Sequence, residues 1–408
     1  MTAAATVRAP ARVIWAIGLT QIIGYGTLYY SFSALAPGMA ADLGWSTEWV
    51  FGVLSAALLL GGLVAPTAGR LADQLGAARL MSWGSVGAAA ALALCALAPG
   101  GPGFVLGLAA IEMVSSFVLY AAAFTALSQI APQGAQRSIV LLTLVAGFAS
   151  TIFWPLTAWL EQLMGWRNVY LVYAALNLTI CLPIHLWLTR RARHGGTAGT
   201  AMVPLPARVP QADTRLALGL MLAGFALIGF FSSAILFQML PLLGALQLGA
   251  SGLLVTTLFG PAQVLSRIVN MRFGRSLSQA ALAVFAAAAM PIALAILLIT
   301  APWAPGAAAF AVLFGLGSGL ISIVSGTLPL SLFGTAHYGR RLGLIGAARQ
   351  VLSALAPFGF ALVGAAASMR LAGWSLVAVG SLATSCFAVL WWRYRQPLPQ
   401  LAVAALET

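Results

Sequence analysis

The sequence predicts an all-α membrane protein, with twelve transmembrane helices in two pseudo-symmetric six-helix halves. Three observations predict it. Of 408 residues, 61% are hydrophobic and 7% charged, more apolar surface than a water-facing domain can hide. Apolar stretches recur at the length that crosses a hydrocarbon core of about 30 Å, roughly 20 residues of helix each. All twenty basic residues are arginine, and they cluster at stretch ends along one alternating set of loops.

The first six stretches lie near 13–35, 47–69, 79–98, 103–128, 138–160 and 167–189. Six more lie near 214–238, 249–272, 277–300, 303–332, 341–366 and 371–393. The fourth and tenth are long enough to tilt or to include loop. Met1 to Arg12 is short, weakly basic and lacks a separate small-residue cleavage site, so the first stretch reads as a retained helix.

With both termini cytoplasmic, the inner loops and flanks hold sixteen arginines: Arg8, Arg12, Arg70, Arg79, Arg137, Arg190, Arg191, Arg193, Arg208, Arg215, Arg272, Arg275, Arg340, Arg341, Arg393 and Arg395. The outer side holds Arg167 and Arg370, while Arg267 and Arg349 fall inside spans. The expected location is therefore the cell inner (plasma) membrane, multi-pass, with both termini cytoplasmic. The net charge of +13 reflects topology, and its dispersal speaks against a nucleic-acid surface.

A break rich in Arg, Gly and Pro at 190–213 separates an N-terminal half, 1–189, from a C-terminal half, 214–395, and 396–408 is a short cytoplasmic tail. Pro66 and Pro155 in helices 2 and 5 have counterparts in Pro261 and Pro357 of helices 8 and 11, as duplicated halves would. Cys95, Cys181 and Cys386 lie in apolar segments without metal-ligand spacing. They read as packing residues, and neither a metal nor a cofactor is expected.

Between helices 2 and 3 the chain reads Gly69-Arg70-Leu71-Ala72-Asp73-Gln74-Leu75-Gly76-Ala77-Ala78-Arg79. Glycines permit a tight turn there, and Asp73 can accept hydrogen bonds or pair with an arginine. The stretch resembles the loop signature of the major facilitator superfamily at Gly69, Leu71, Asp73 and Gly76, with Gln74, Ala77 and Ala78 standing where that signature is basic. The resemblance implies a transporter and a conformational latch at Gly69, Asp73 and Gly76, not substrate contact. The equivalent stretch after helix 8, from Ser266 to Arg275, lacks the acid. In helix 5, Trp154 precedes Pro155 where drug/proton antiporters of the superfamily carry glycine. Gly24-Tyr25-Gly26-Thr27-Leu28-Tyr29-Tyr30, followed by Leu43-Gly44-Trp45-Ser46, resembles the monocarboxylate and oxalate carrier branch, without the acid that branch often has in helix 1.

Ionisable groups inside spans cost at least about 2.5–3.5 kcal/mol each on insertion scales, so each requires a reason. Glu112, about nine residues into helix 4, shares a face with Ser116 and Tyr120. It reads as a proton-coupling or cation-pairing group, or as a hydrogen-bonded packing residue. Arg349, eight residues past Arg341, is suited to forked recognition of a carboxylate, with a bridge across the bundle as the rival. Arg267 shares a face with Gly260 and Gln263, and its placement is similar to that of the helix 8 arginine of monocarboxylate and oxalate carriers; snorkelling to the interface is the alternative. Gln21, Tyr25 and Tyr29 recur every four residues on helix 1, as a cavity-facing stripe or as packing. The expected substrate-binding set is thus Arg349, Arg267, Tyr25, Tyr29, Gln263 and Tyr120.

The Gly315–Gly319 cluster follows no strand and reads as helix packing. No HExxH, GxSxG or close acid pair is present, and His185, His194 and His337 sit at or near cytoplasmic ends, where solvated or anchoring roles are expected. An intramembrane enzyme or a non-transporting sensor is the different-class alternative. Secondary transport is expected: a small, monocarboxylate-like anion moved by symport with protons, by rocking alternating access. Efflux of an amphipathic drug against protons is the rival, and uniport the third. The partners are the substrate, protons and lipid, and the chain is expected to be a monomer.

Overall fold

The computed structural model describes residues 10–195, 205, 207–248, 257–274 and 277–395. Helix α1 is assembled from Ala11–Tyr25, a π-helical turn Gly26–Tyr30 and Ser31–Leu43. Gly44, at φ 64°, ends it in the left-handed conformation that glycine tolerates. The Ser46 hydroxyl accepts from the Trp49 N–H and starts α2, Thr47–Leu75. Gly76, at φ 87°, turns the chain into α3, Ala77–Leu97. Helix α4 comprises Gly101–Val118 and Tyr120–Ile130, broken at Leu119, where the backbone is extended.

Helix α5 begins as Ala135–Ala146, and Ala149–Leu176 follows with Gly165 inside it at φ 73°. Thr157 and Tyr173, sixteen residues apart, share a 2.6 Å hydrogen bond, where unbroken helix would separate them by about 24 Å. The chain therefore doubles back at Gly165. There α5 ends, and α6 continues through a π turn, Asn177–Cys181, into Leu182–Gly195. The other half holds α7 Thr214–Ala245, α8 Phe259–Phe273, α9 Gln279–Thr300, α10 Ala304–Phe333, α11 Tyr338–Ala366 and α12 Met369–Tyr394.

Among the described residues nine helices are long and apolar enough to span a bilayer, and one of them, Pro132–Ala192, is α5 and α6 together. With α1 and α8 the chain makes twelve passes, so the start of α1 and the end of α12 lie on one face together with the turns at 76, 131–134 and 334–337. This is the arginine face. Large apolar side chains such as Trp15, Leu63, Trp83, Leu106, Ile299 and Trp392 are exposed around the outside, as a lipid-facing exterior requires. Arg8, Arg275, the tail 396–408 and residues 196–204 and 206 of the 190–213 break lie outside the described residues. Where that break is described, the Arg208 and Val209 N–H groups donate to the Leu332 carbonyl and Thr335 N–H to Leu205, docking it on the end of α10. On the opposite face, Arg167 pairs with Asp42 at 2.9 Å and donates to the Ala96 and Ala98 carbonyls; Arg370 donates to Leu298. Both arginines thus satisfy carbonyls left open at helix C-terminal ends.

Two separate apolar cores fill the two halves. One holds Phe225, Phe231, Phe310, Phe314 and Phe387, and the other Phe32, Phe104, Phe153, Trp166 and Tyr170. A third straddles them, joining Ile14, Leu127 and Ile139 to Leu330, Tyr338 and Leu342 at the arginine face. The halves therefore meet most intimately there.

Candidate functional site

Helix α1 supplies one wall of a central site. Its π turn inserts one residue into the helical count, so Tyr29 and Tyr30 follow Tyr25 on the inner side. Tyr25 packs on Tyr120 at 4.6 Å between ring centroids, Tyr29 meets Tyr30 edge to face at 5.2 Å, and Tyr30 meets Trp154 at 5.6 Å. The predicted stripe divides its work. Gln21 donates to the Val118 carbonyl at 2.8 Å, and the Tyr120 N–H is directed at the Tyr25 hydroxyl. Both serve backbone groups released by the α4 break, which would otherwise be orphaned in apolar surroundings. Tyr29 makes neither contact and stands 50% exposed midway along the bundle.

The charges occupy different settings. Arg349 lies eleven residues into α11, about 16 Å along the helix, and is nevertheless exposed. Its stem lies over Gly229 of α7, where a methyl group would stand 2.5 Å from the Arg349 Cγ. The guanidinium makes no hydrogen bond or ion pair among the described residues, and its field reaches Tyr25, Tyr29, Tyr30 and Tyr120. Glu112 is 4% exposed and likewise unpaired, so Glu112 and Arg349 do not bridge in this conformation. Tyr29 stands in the fields of both. Glu112 sits at a three-helix junction: the Gly61 position of α2 touches both its backbone carbonyl and the Gln350 side chain of α11. Glu112 and Ser116 stay one turn apart on the unbroken Gly101–Val118 segment, where Ser116 donates to the Gly61 carbonyl, while Tyr120 lies beyond the break at Leu119.

Arg267 does not snorkel. It is 6% exposed, with Nε and Nη1 unpartnered, and a methyl group on Gly147 would collide with it. Its guanidinium thus crosses from α8 to the point where α5 breaks, beside the C-terminal end of Ala135–Ala146, where a helix dipole favours a cation. Tyr30 and Tyr120 lie within its field. Gln263 stands apart from the tyrosines and donates to Ser318 of α10 at 3.0 Å. Gly319 permits that crossing, since a side chain there would strike Ser266 and Gln263.

At the arginine face Asp73 accepts from the Gly339 and Arg340 N–H groups, both at 2.8 Å. These are open donors at the first turn of α11, and the helix dipole adds to the attraction. Gly69 and Gly339 let the backbones touch; a methyl group on Gly69 would overlap the Gly339 carbonyl. Gly76 makes no such contact and serves the turn. Gln129 braces it, accepting from Ala77 N–H at 2.8 Å and donating to the Ala72 carbonyl at 2.9 Å.

The site set expected from sequence leaves out Tyr30, Gln350 and Gln129, because a π turn and contacts across distant helices leave no periodic signal. His185 is a correction. It is buried in the bundle, with Nδ1 2.7 Å from the Ser85 hydroxyl, because α6 packs that turn against α3.

The comparisons agree with this architecture. The human organic anion transporter MFSD10 (TETRAN) has a solved structure similar to this chain, with TM-score 0.73 and 15% identity over 93% of this chain and all of that one. The proton:xylose symporter XylE matches with TM-score 0.64 and 14% identity over 95% of this chain and 97% of its own. FucP, solved in an outward conformation, matches with TM-score 0.67 and 14% identity over 92% and 98%. No curated protein sequence matches significantly. The family model described as Major Facilitator Superfamily matches residues 17–357, most of the chain. The chain belongs to the major facilitator superfamily: it is a multi-pass membrane protein and a secondary transporter, not an enzyme.

Proposed function

We propose that this transporter carries a small organic anion of monocarboxylate type, in symport with protons, across the cell inner membrane. One observation carries the reading: Arg349 is a guanidinium exposed at mid-bundle, without a hydrogen-bond or ion-pair partner among the described residues and within electrostatic reach of hydroxyl-bearing rings. A forked donor set left without a protein partner in an apolar surround is suited to a carboxylate. Arg267 adds positive potential from the C-terminal half. Glu112, unpaired and nearly sealed, is the proton site. The likeness to an organic anion transporter supports this reading at the level of fold.

The N-terminal half, 1–189, and the C-terminal half, 214–395, rock about the site, and Gly69, Asp73 and Gly76 latch them at the arginine face. That face is cytoplasmic, since arginine is retained on that side. The chain works as a monomer. A second reading is exchange of an amphipathic cation for protons, favoured by the same unpaired Glu112 beside tyrosine faces.

Uptake of radiolabelled carboxylates and one lipophilic cation into proteoliposomes, with and without a pH gradient, separates them. Saturable carboxylate uptake should fall at least about tenfold in Arg349→Ala, the size of one lost charged hydrogen-bonding contact, with folding checked by size exclusion. Cation flux that survives this variant, with no carboxylate signal, would overturn the anion reading.

A further inference from the structure

The site has a property that charge alone does not use. Six rings run in unbroken contact from α5 to α4: Trp154, Tyr30, Tyr29, Tyr25, Tyr120 and Phe124, the last two stacked at 4.9 Å and 12°. A cluster serving only as packing would close its faces. Here Tyr29 and Trp154 are each 50% exposed, although both lie well inside their helices. The hydroxyls of Tyr29, Tyr30 and Tyr120 also take no hydrogen bond among the described residues. Arg349 lies within electrostatic reach of this wall.

We propose that the transported anion is an aryl carboxylate, its carboxylate on Arg349 and its ring laid against Tyr29, Tyr30 and Trp154. This rests on the anion reading above. Ring edges and faces attract one another through their quadrupoles, beyond the gain from apolar area. An aliphatic acid of lactate size would satisfy Arg349 and leave the aromatic wall wet. A cation would suit the ring faces too, but Arg349 and Arg267 both repel it, and Glu112 is the single acid opposing them.

The test uses the purified full-length protein, titrated with benzoate, phenylacetate, cyclohexanecarboxylate and propionate, and read by thermal shift and tryptophan fluorescence. Cyclohexanecarboxylate matches benzoate in charge and bulk but has no π face. Benzoate and phenylacetate should bind more tightly than cyclohexanecarboxylate by about 2- to 10-fold, the worth of an aromatic pair, and more tightly still than propionate. In Trp154→Leu the benzoate-to-cyclohexanecarboxylate ratio should fall toward one, and in Trp154→Phe it should persist. Equal binding of benzoate and cyclohexanecarboxylate by the wild type overturns the aryl assignment and leaves the anion reading standing, whether or not the variants fold. An unchanged ratio in folded Trp154→Leu also overturns it. Binding of none of the four acids sinks both.

Discussion

Among the described residues, Glu112, Arg267 and Arg349 stand at membrane depth without a hydrogen-bond or ion-pair partner, and an unpaired ionisable group there is costly enough that each needs a use. Arg349 opens on the central space, Arg267 is sealed at the junction of α5 and α8, and Glu112 is sealed at the junction of α2, α4 and α11. Glu112→Gln keeps the shape of the carboxyl and removes its proton exchange. Accumulation driven by a pH gradient should then fall to the level seen without one, while counterflow exchange of labelled for unlabelled substrate continues. Full gradient-driven accumulation in that variant would remove Glu112 from the coupling role. All three residues were legible in the sequence, because a charge inside an apolar run announces itself. Their different settings were not: the sealing of Arg267 depends on Gly147, 120 positions earlier, and on the helix break beside it.

At the scale of elements, spans and turns follow from apolar length, serine caps and positive-φ glycines, all local signals. The Gly315–Gly319 cluster also acts locally as packing, with Gly317 against the Ala286 carbonyl and Gly319 against Ser266. The break in α4 is a different matter. Ser115-Ser116-Phe117-Val118-Leu119 contains neither glycine nor proline, and the groups that make the break tolerable come from α1. Helix 1 spans likewise gave no sign that Gly26–Tyr30 would wind as a π turn and bring Tyr30 inward. Gln21→Leu should leave the Val118 carbonyl unsatisfied and destabilise the protein by about 1–3 kcal/mol, seen as a lowered melting temperature in detergent. An unchanged melting temperature would mean that water or lipid reaches the break.

For the whole molecule, the seam is tightest at the arginine face, where the third core and the Asp73 contact both lie. Substrate should therefore reach Tyr29 from the opposite side. In a background with Cys95, Cys181 and Cys386 replaced, Tyr29→Cys should react with an impermeant maleimide added from that side in oriented vesicles. Adding Asp73→Asn should weaken closure by about 1.5–3 kcal/mol, the worth of a hydrogen bond to a charged group, and raise labelling from the arginine face. Adding Arg340→Ala should not. Labelling of the parent from the arginine face alone would reverse the assigned state. The Asp73 contact carries one consequence further. Its donors are peptide groups of α11, so its hydrogen bonds need no particular side chain at 340 and constrain position 339 by bulk. Evolution or engineering can thus vary the side chain at 340 without removing a hydrogen bond of the clasp, provided that no proline enters and the glycine stays.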